Sequence, residues 1–198
     1  MLTFLGDAAL AFGAIFVAEF GDKSQLLVLA FATRYAARPV ILGVIIAASV
    51  IQGVSVAIGA VVGAALPATA VAVVSGIAFL AVAVWTLRGD DDEEEAEATG
   101  AVGTQRLAGF ALVLTVASTF ILSELGDKTM LATVALAATN GALPTWIGST
   151  AGEVAANLVA VAVGRHVGQR LSARTVRIGS SALFAIAGVA VLLGAWLG

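Results

Sequence analysis

Ala18-Glu19-Phe20-Gly21-Asp22-Lys23-Ser24-Gln25 and Ser123-Glu124-Leu125-Gly126-Asp127-Lys128-Thr129 are two copies of one pattern, Glu-x-Gly-Asp-Lys-(Ser/Thr), set 105 residues apart. The same shift, without a gap, lays Pro39 on Pro144, Gly43 on Gly148, Gly59 on Gly164 and Gly63 on Gly168. It continues through Ser75 on Ser180 and Phe79 on Phe184. Coincidences of Ala and Val are expected in so apolar a chain, but a repeated charged pentapeptide with spaced Gly and Pro is not. The sequence is an internal duplication.

Apolar residues make up 60% of the 198 positions and charged residues 12%, and the mean hydropathy is +1.05. A soluble domain of this size needs charge on every face, and the chain lacks the residues to build it. Bilayer-length helices, at about 20 apolar residues each, account for the shortage. Six apolar segments can be traced: Asp7–Ala32, Val40–Ala64, Ala68–Leu87, Leu107–Ala138, Thr145–Gly164 and Ile178–Leu197. Pro39, Pro67 and Pro144 stand at segment openings, where a missing N–H costs a helix nothing. No segment alternates with the period of 2 expected of a membrane barrel strand. Met1–Asp7 has no basic n-region, so the first apolar stretch reads as a retained span. The expected fold is an all-α integral membrane protein with six transmembrane helices in two three-helix repeats. These occupy residues 1–89 and 107–198, joined by an acidic linker over 90–106. Seven of the 13 acids crowd into that linker, from Asp90 to Glu97, where they are solvated.

Three spans per repeat oblige the second copy to enter the membrane from the other side. The eight arginines agree: Arg34 and Arg38, Arg88 and Arg106, and Arg165, Arg170, Arg174 and Arg177 flank the connections after segments one, three and five. Ala60–Ala72 and Arg165–Arg177 are equivalent and equally long, yet only the second is basic. The positive-inside rule makes the arginine-bearing connections and the acidic linker cytoplasmic and puts both termini outside. His166 falls in the same basic loop, facing lipid headgroups. Trp85, Trp146, Trp196 and Tyr35 fall near span ends, at the interface. The expectation is an inverted repeat.

Charges inside the spans are few: Glu19, Asp22, Lys23, Glu124, Asp127, Lys128 and Glu153. Each is costly in hydrocarbon and marks a polar interior or a water-filled path. Glu and Asp three residues apart share a helical face, and two such pairs on inversion-related helices can converge near the midplane. The motif glycines permit either close helix approach or a local break. Four carboxylates with two lysines carry a net −2 when ionised, which complements a divalent cation. All-oxygen ligands suit Ca²⁺, Mn²⁺ or Mg²⁺. There is no Cys, and the single His166 is remote, so the preferred ligands of zinc and copper are lacking. Metal requires the ionised carboxylate, so such a cluster can trade protons for metal.

The plainer alternative is that these are buried ion pairs holding the halves together. Lys23 is four residues after Glu19, and Lys128 four after Glu124, so pairing within each helix is open. That charge-balancing role fits the lysines, which cannot ligate metal. It fits the four carboxylates poorly, since duplicated buried acids are an expensive glue. Ser24 and Thr129 are either ligands or hydroxyls bonded back to their helix. Gln52 maps onto Asn157, giving each copy an amide in its second helix, with polar glue the plainer role. Glu153 maps onto Ala48; an unmatched acid there is a proton relay or lines a vestibule.

The two motif copies resemble those of the small divalent cation/proton exchangers that include the Golgi transmembrane protein 165. The likeness covers the whole chain: two three-helix repeats, an acidic central loop, and one motif per repeat. It implies Mn²⁺ or Ca²⁺ transport driven by protons, with Glu19, Asp22, Glu124 and Asp127 as metal ligands and Ser24 and Thr129 as further candidates. Met130 stands where the first copy has Gln25, so that amide has no symmetric counterpart. Glu153 is unusual for the family. The implied partners are a divalent ion, protons and the lipid bilayer, with no nucleic acid and no resident cofactor. A homo-oligomer is compatible with this. The alternative is an exporter of a small organic solute such as an amino acid, which leaves the four acids unexplained; a non-transporting scaffold would carry its charge on exposed faces instead. No nucleophile–base set or HExxH motif points to an enzyme.

Overall fold

A computed structural model describes residues 2–19, 22–88, 108–166 and 173–197. The acidic linker 90–106 lies outside the described residues, as do Phe20 and Gly21 of the first motif. The expectations for the side chains of Lys23, Arg165, His166, Arg170, Arg174 and Arg177 also fall outside them.

The described residues form eight helices and no strand. In chain order they are α1 (Leu2–Ala18), α2 (Lys23–Arg34), α3 (Ala37–Ala65), α4 (Ala68–Arg88), α5 (Gly109–Glu124), α6 (Lys128–Thr139), α7 (Ala142–His166) and α8 (Ala173–Leu197). Eight replace the six expected because the first and fourth apolar segments are each broken at the motif. In the second copy the two pieces are bent by 77°. Gly126 makes that break: its φ of +79° is the left-handed conformation that ends a helix and that residues with a Cβ resist. The leucine before it caps α5 through its N–H to the Ile121 carbonyl, and Asp127 then opens α6. Glu124 and Asp127 therefore do not share the face of a continuous helix, as their spacing suggests. They stand on either side of a corner.

By length and composition α3 and α4 can each cross a membrane, and α5 with α6 can do so as one bent span. The apolar stretches Thr3–Ala18 and Phe184–Trp196 are shorter. At 25 residues α7 is long enough, but its apolar run is interrupted by Thr145, Ser149, Glu153 and Asn157. All four are buried inside the bundle.

The packing respects the duplication. Exchanging the halves turns the α1–α7 contact into α5–α3, and α2–α7 into α6–α3, and all four contacts are present. The α4–α8 and α3–α7 contacts map onto themselves. The correspondence reaches single residues. A Cβ on Gly43 would collide with Val116 and the Val113 carbonyl, and one on Gly148 with Ala11 and the Ala8 carbonyl, the same positions one repeat earlier. Two hydrophobic cores follow. One joins Leu27, Val28 and Phe31 of α2 to Val44 of α3 and Phe120 of α5. The other joins Ile15 of α1 to Phe79 of α4, Leu136 of α6 and Phe184 of α8. Each helix before a break thus packs on a helix after the break of the other half.

Close approach at the glycines yields a test. Gly148→Leu must push α7 off the α1 backbone, and overpacking of this kind costs about 1–3 kcal/mol. Thermal unfolding of the detergent-purified protein should show that loss. Gly13→Leu, at a position where a Cβ meets nothing within 4 Å, should not.

Candidate ion site

The two breaks bring both motif copies into the interior. Glu19 and Glu124 are fully buried, and Asp22 and Asp127 nearly so. Their local settings repeat. The Ser24 hydroxyl donates to Oε2 of Glu19 at 2.7 Å, and the Thr129 hydroxyl donates to Oε2 of Glu124 at 3.2 Å. Each hydroxyl, at the start of the second half-helix, thereby orients the acid at the end of the first. Among the described residues neither hydroxyl is bonded back to its own helix; both are bonded across the helix break to the motif Glu. The opposite oxygens, Oε1 of Glu19 and of Glu124, are buried with no hydrogen-bond partner among the described residues. Fixing one carboxylate oxygen and leaving its twin bare gives a cation a pre-oriented ligand at little entropic cost.

The pairing within its own helix that the spacing left open to Lys128 is not the one it makes. Lys128 does not turn back to Glu124; its Nζ meets Oδ2 of Asp22 at 2.6 Å. Once the corner at Gly126 redirects the chain, Lys128 leads off α6 and no longer sits one turn below Glu124. The ion pair therefore crosses between the halves. Asp127 opens α6 without spending its carboxylate on a capping bond, the usual use of an Asp there.

The acids of both halves act on one another electrostatically. Glu124 is repelled by Glu19, Glu153, Asp127 and Asp22, and Glu19 by Asp22, Glu153 and Asp127. They are neighbours without being clustered: no three His, Cys, Asp or Glu side chains are gathered closely enough to hold a metal among the described residues. The Lys128 ammonium on Asp22 occupies the place of positive charge in this arrangement. Broken helices add to the field, since the carbonyl ends of α1 and α5 are the negative ends of their dipoles.

Two amides and one acid flank the motifs. Gln52 of α3 donates through Nε2 to Oε2 of Glu153 on α7. Asn157 donates through Nδ2 to the Glu153 carbonyl at 3.0 Å. Gln25 donates to the Ala156 carbonyl at 3.2 Å, tying α2 to α7. Met130, in the equivalent position, instead accepts the Gly126 N–H on its sulfur at 3.5 Å. The Gln52–Glu153 bond spans the halves and was not readable from the sequence, where Gln52 pairs by repeat with Asn157. A large recess elsewhere, lined by Leu10, Gly13, Phe79, Leu136 and Phe184 among others, is apolar and includes none of these acids.

The model of the divalent cation/proton antiporter family GDT1 matches residues 7–94 and 112–198. A GDT1-like protein of Synechocystis is 30% identical over 86% of this chain and 88% of its own length. A putative manganese exporter of Vibrio cholerae is 29% identical over 92% of this chain and 88% of its own. The chloroplastic protein PAM71 of Arabidopsis thaliana is 32% identical over 92% of this chain, which spans 56% of that relative's length. No solved structure matches the chain.

Proposed function

Because the chain belongs to the GDT1 family of divalent cation/proton antiporters, we propose that it exchanges Mn²⁺ or Ca²⁺ for protons through one site shared by its two halves. Glu19, Asp22, Glu124 and Asp127 supply the carboxylates, Ser24 and Thr129 orient the two glutamates, and Lys128 holds Asp22 until the ion takes its place. The observation that carries the reading is the buried acid of each motif with one oxygen fixed by its own Ser or Thr and the other bare. The Vibrio relative's name, a manganese exporter, favours Mn²⁺ as the first ion to try.

Exchange follows from charge. A buried carboxylate set is tolerable when protonated or when metal-bound, and poorly tolerated bare. Loading metal expels protons, and loading protons expels metal. Rocking of one repeat against the other then exposes the site to each side in turn. Proteoliposomes with an imposed pH gradient should take up Mn²⁺, and a protonophore should collapse that uptake. Uptake indifferent to the gradient would remove the proton from the cycle.

The inverted, six-span arrangement is part of the same proposal. In a protein that has no Cys of its own, cysteines introduced at Ala68 and Gly141 should react with an impermeant thiol reagent from outside. Cysteines at Ala37 and Ser172 should react only after permeabilisation. Labelling of all four from one side would defeat the arrangement.

A further inference from the structure

The repeat fails at one place in the interior, and the failure is systematic. Along α7, Thr145, Ser149, Glu153 and Asn157 recur every fourth residue and are all buried. Their mates along α3 are Val40, Val44, Ala48 and Gln52, equally buried but apolar except for the last. A spacing of four keeps successive side chains on nearly one helical face. The row of twelve residue steps runs about 18 Å at the helical rise, more than half of a hydrocarbon core about 30 Å thick. Only the second half carries it.

The centre of the row is under-satisfied. Oε1 of Glu153, Oε1 of Gln52, Oδ1 of Asn157 and Oγ1 of Thr145 are buried and have no hydrogen-bond partner among the described residues. Glu153 and Gln52 are held together by an amide N–H to carboxylate bond. That bond uses one of the two Gln52 amide N–H groups and leaves an acceptor oxygen on each residue. Asn157 likewise places one amide N–H on the Glu153 carbonyl and keeps its oxygen. Buried oxygens that receive no hydrogen bond are what a hard cation requires and what a polar glue avoids.

We propose that Glu153, Gln52 and Asn157 form a cation-binding subsite at the α3–α7 crossing, reached along the polar row of α7 and adjoining the four motif acids. Glu153 supplies the charge and the amides supply neutral oxygens for a hard divalent ion. The subsite rests on the ion-exchange reading above and adds an asymmetric fifth carboxylate to it. Glu153 acts electrostatically on Glu19 and on Glu124, so an ion held there neighbours both motif copies. With Glu153 included, five carboxylates and two lysines carry one more net negative charge than a divalent ion offsets.

Mn²⁺ alone, titrated into the detergent-purified full chain by equilibrium dialysis, tests this. Glu153→Gln removes the charge but keeps an amide oxygen, and should weaken Mn²⁺ binding about tenfold or more, a fraction of the roughly thousandfold that a unit charge about 4 Å from another represents at an effective dielectric of about 20. Glu153→Asp keeps the charge but withdraws the carboxylate by one methylene, and should still lose severalfold. Both variants should unfold thermally no earlier than the parent when metal-free. Parent-like affinity in Glu153→Gln overturns the subsite. Parent-like affinity in Glu153→Asp reduces Glu153 to a distant charge and overturns ligation. Glu19→Gln in the same dialysis reports on the motif site separately, since binding unaffected there would sink the exchange reading and leave the Glu153 result legible.

Discussion

Glu19→Gln and Asp127→Asn are each expected to abolish Mn²⁺ or Ca²⁺ uptake, although they lie in different halves of the chain. Each substitution keeps the size of the side chain and removes one formal charge and one hard ligand. Two unit charges 4 Å apart exchange about 4 kcal/mol at an effective dielectric of 20, roughly a thousandfold in affinity before the site relaxes. Glu19 is fully buried and its Ser24 bond orients it, so no exposed neighbour can move in as a substitute. Proteoliposome uptake and metal binding should fall together in both variants. Loss in one half with parental activity in the other would show two independent sites, or one half without a role.

Lys128→Met should have the second large effect, on the metal-free protein. Asp22 is 1% exposed and meets the Lys128 ammonium at 2.6 Å. Removing one partner of a buried pair leaves its charge uncompensated and costs about 3–5 kcal/mol. Thermal unfolding without metal should therefore occur much earlier than in the parent. Added Mn²⁺ should then restore more stability to the variant than to the parent, because the ion supplies the charge that the ammonium gave. Equal stabilisation of both proteins by metal would mean that Lys128 and the ion do not compete for Asp22.

The duplication, the motif pairs and the helical, membrane-embedded class were legible in the sequence because each rests on local chemistry repeated at a fixed offset. The broken helices were half legible. Gly126 announced either close packing or a break, and only its left-handed φ decides for the break. The intrahelical pairing of Lys128 with Glu124 was a fair inference from a continuous helix, and it failed at that corner. The partner that Lys128 found, Asp22, is 106 residues away in sequence, in the other repeat. Gln52 with Glu153 was hidden for a related reason: repeat logic pairs Gln52 with its equivalent, whereas packing pairs it with whatever faces it across the α3–α7 crossing. The polar row on α7 was present in the sequence at a spacing of four. Glu153 and Asn157 stood out in it as an acid and an amide, whereas Thr145 and Ser149 are common in apolar helices and declare themselves only by their burial.

The central claim is that metal and protons compete for one set of carboxylates drawn from both halves. Calorimetric titration of Mn²⁺ into the purified protein, repeated in two buffers of different ionisation enthalpy, measures both partners of that exchange at once. Binding should release protons, affinity should fall as pH is lowered, and Glu19→Gln and Asp127→Asn should each suppress both signals. Metal binding that releases no protons at any pH, or that survives both substitutions unchanged, would contradict it.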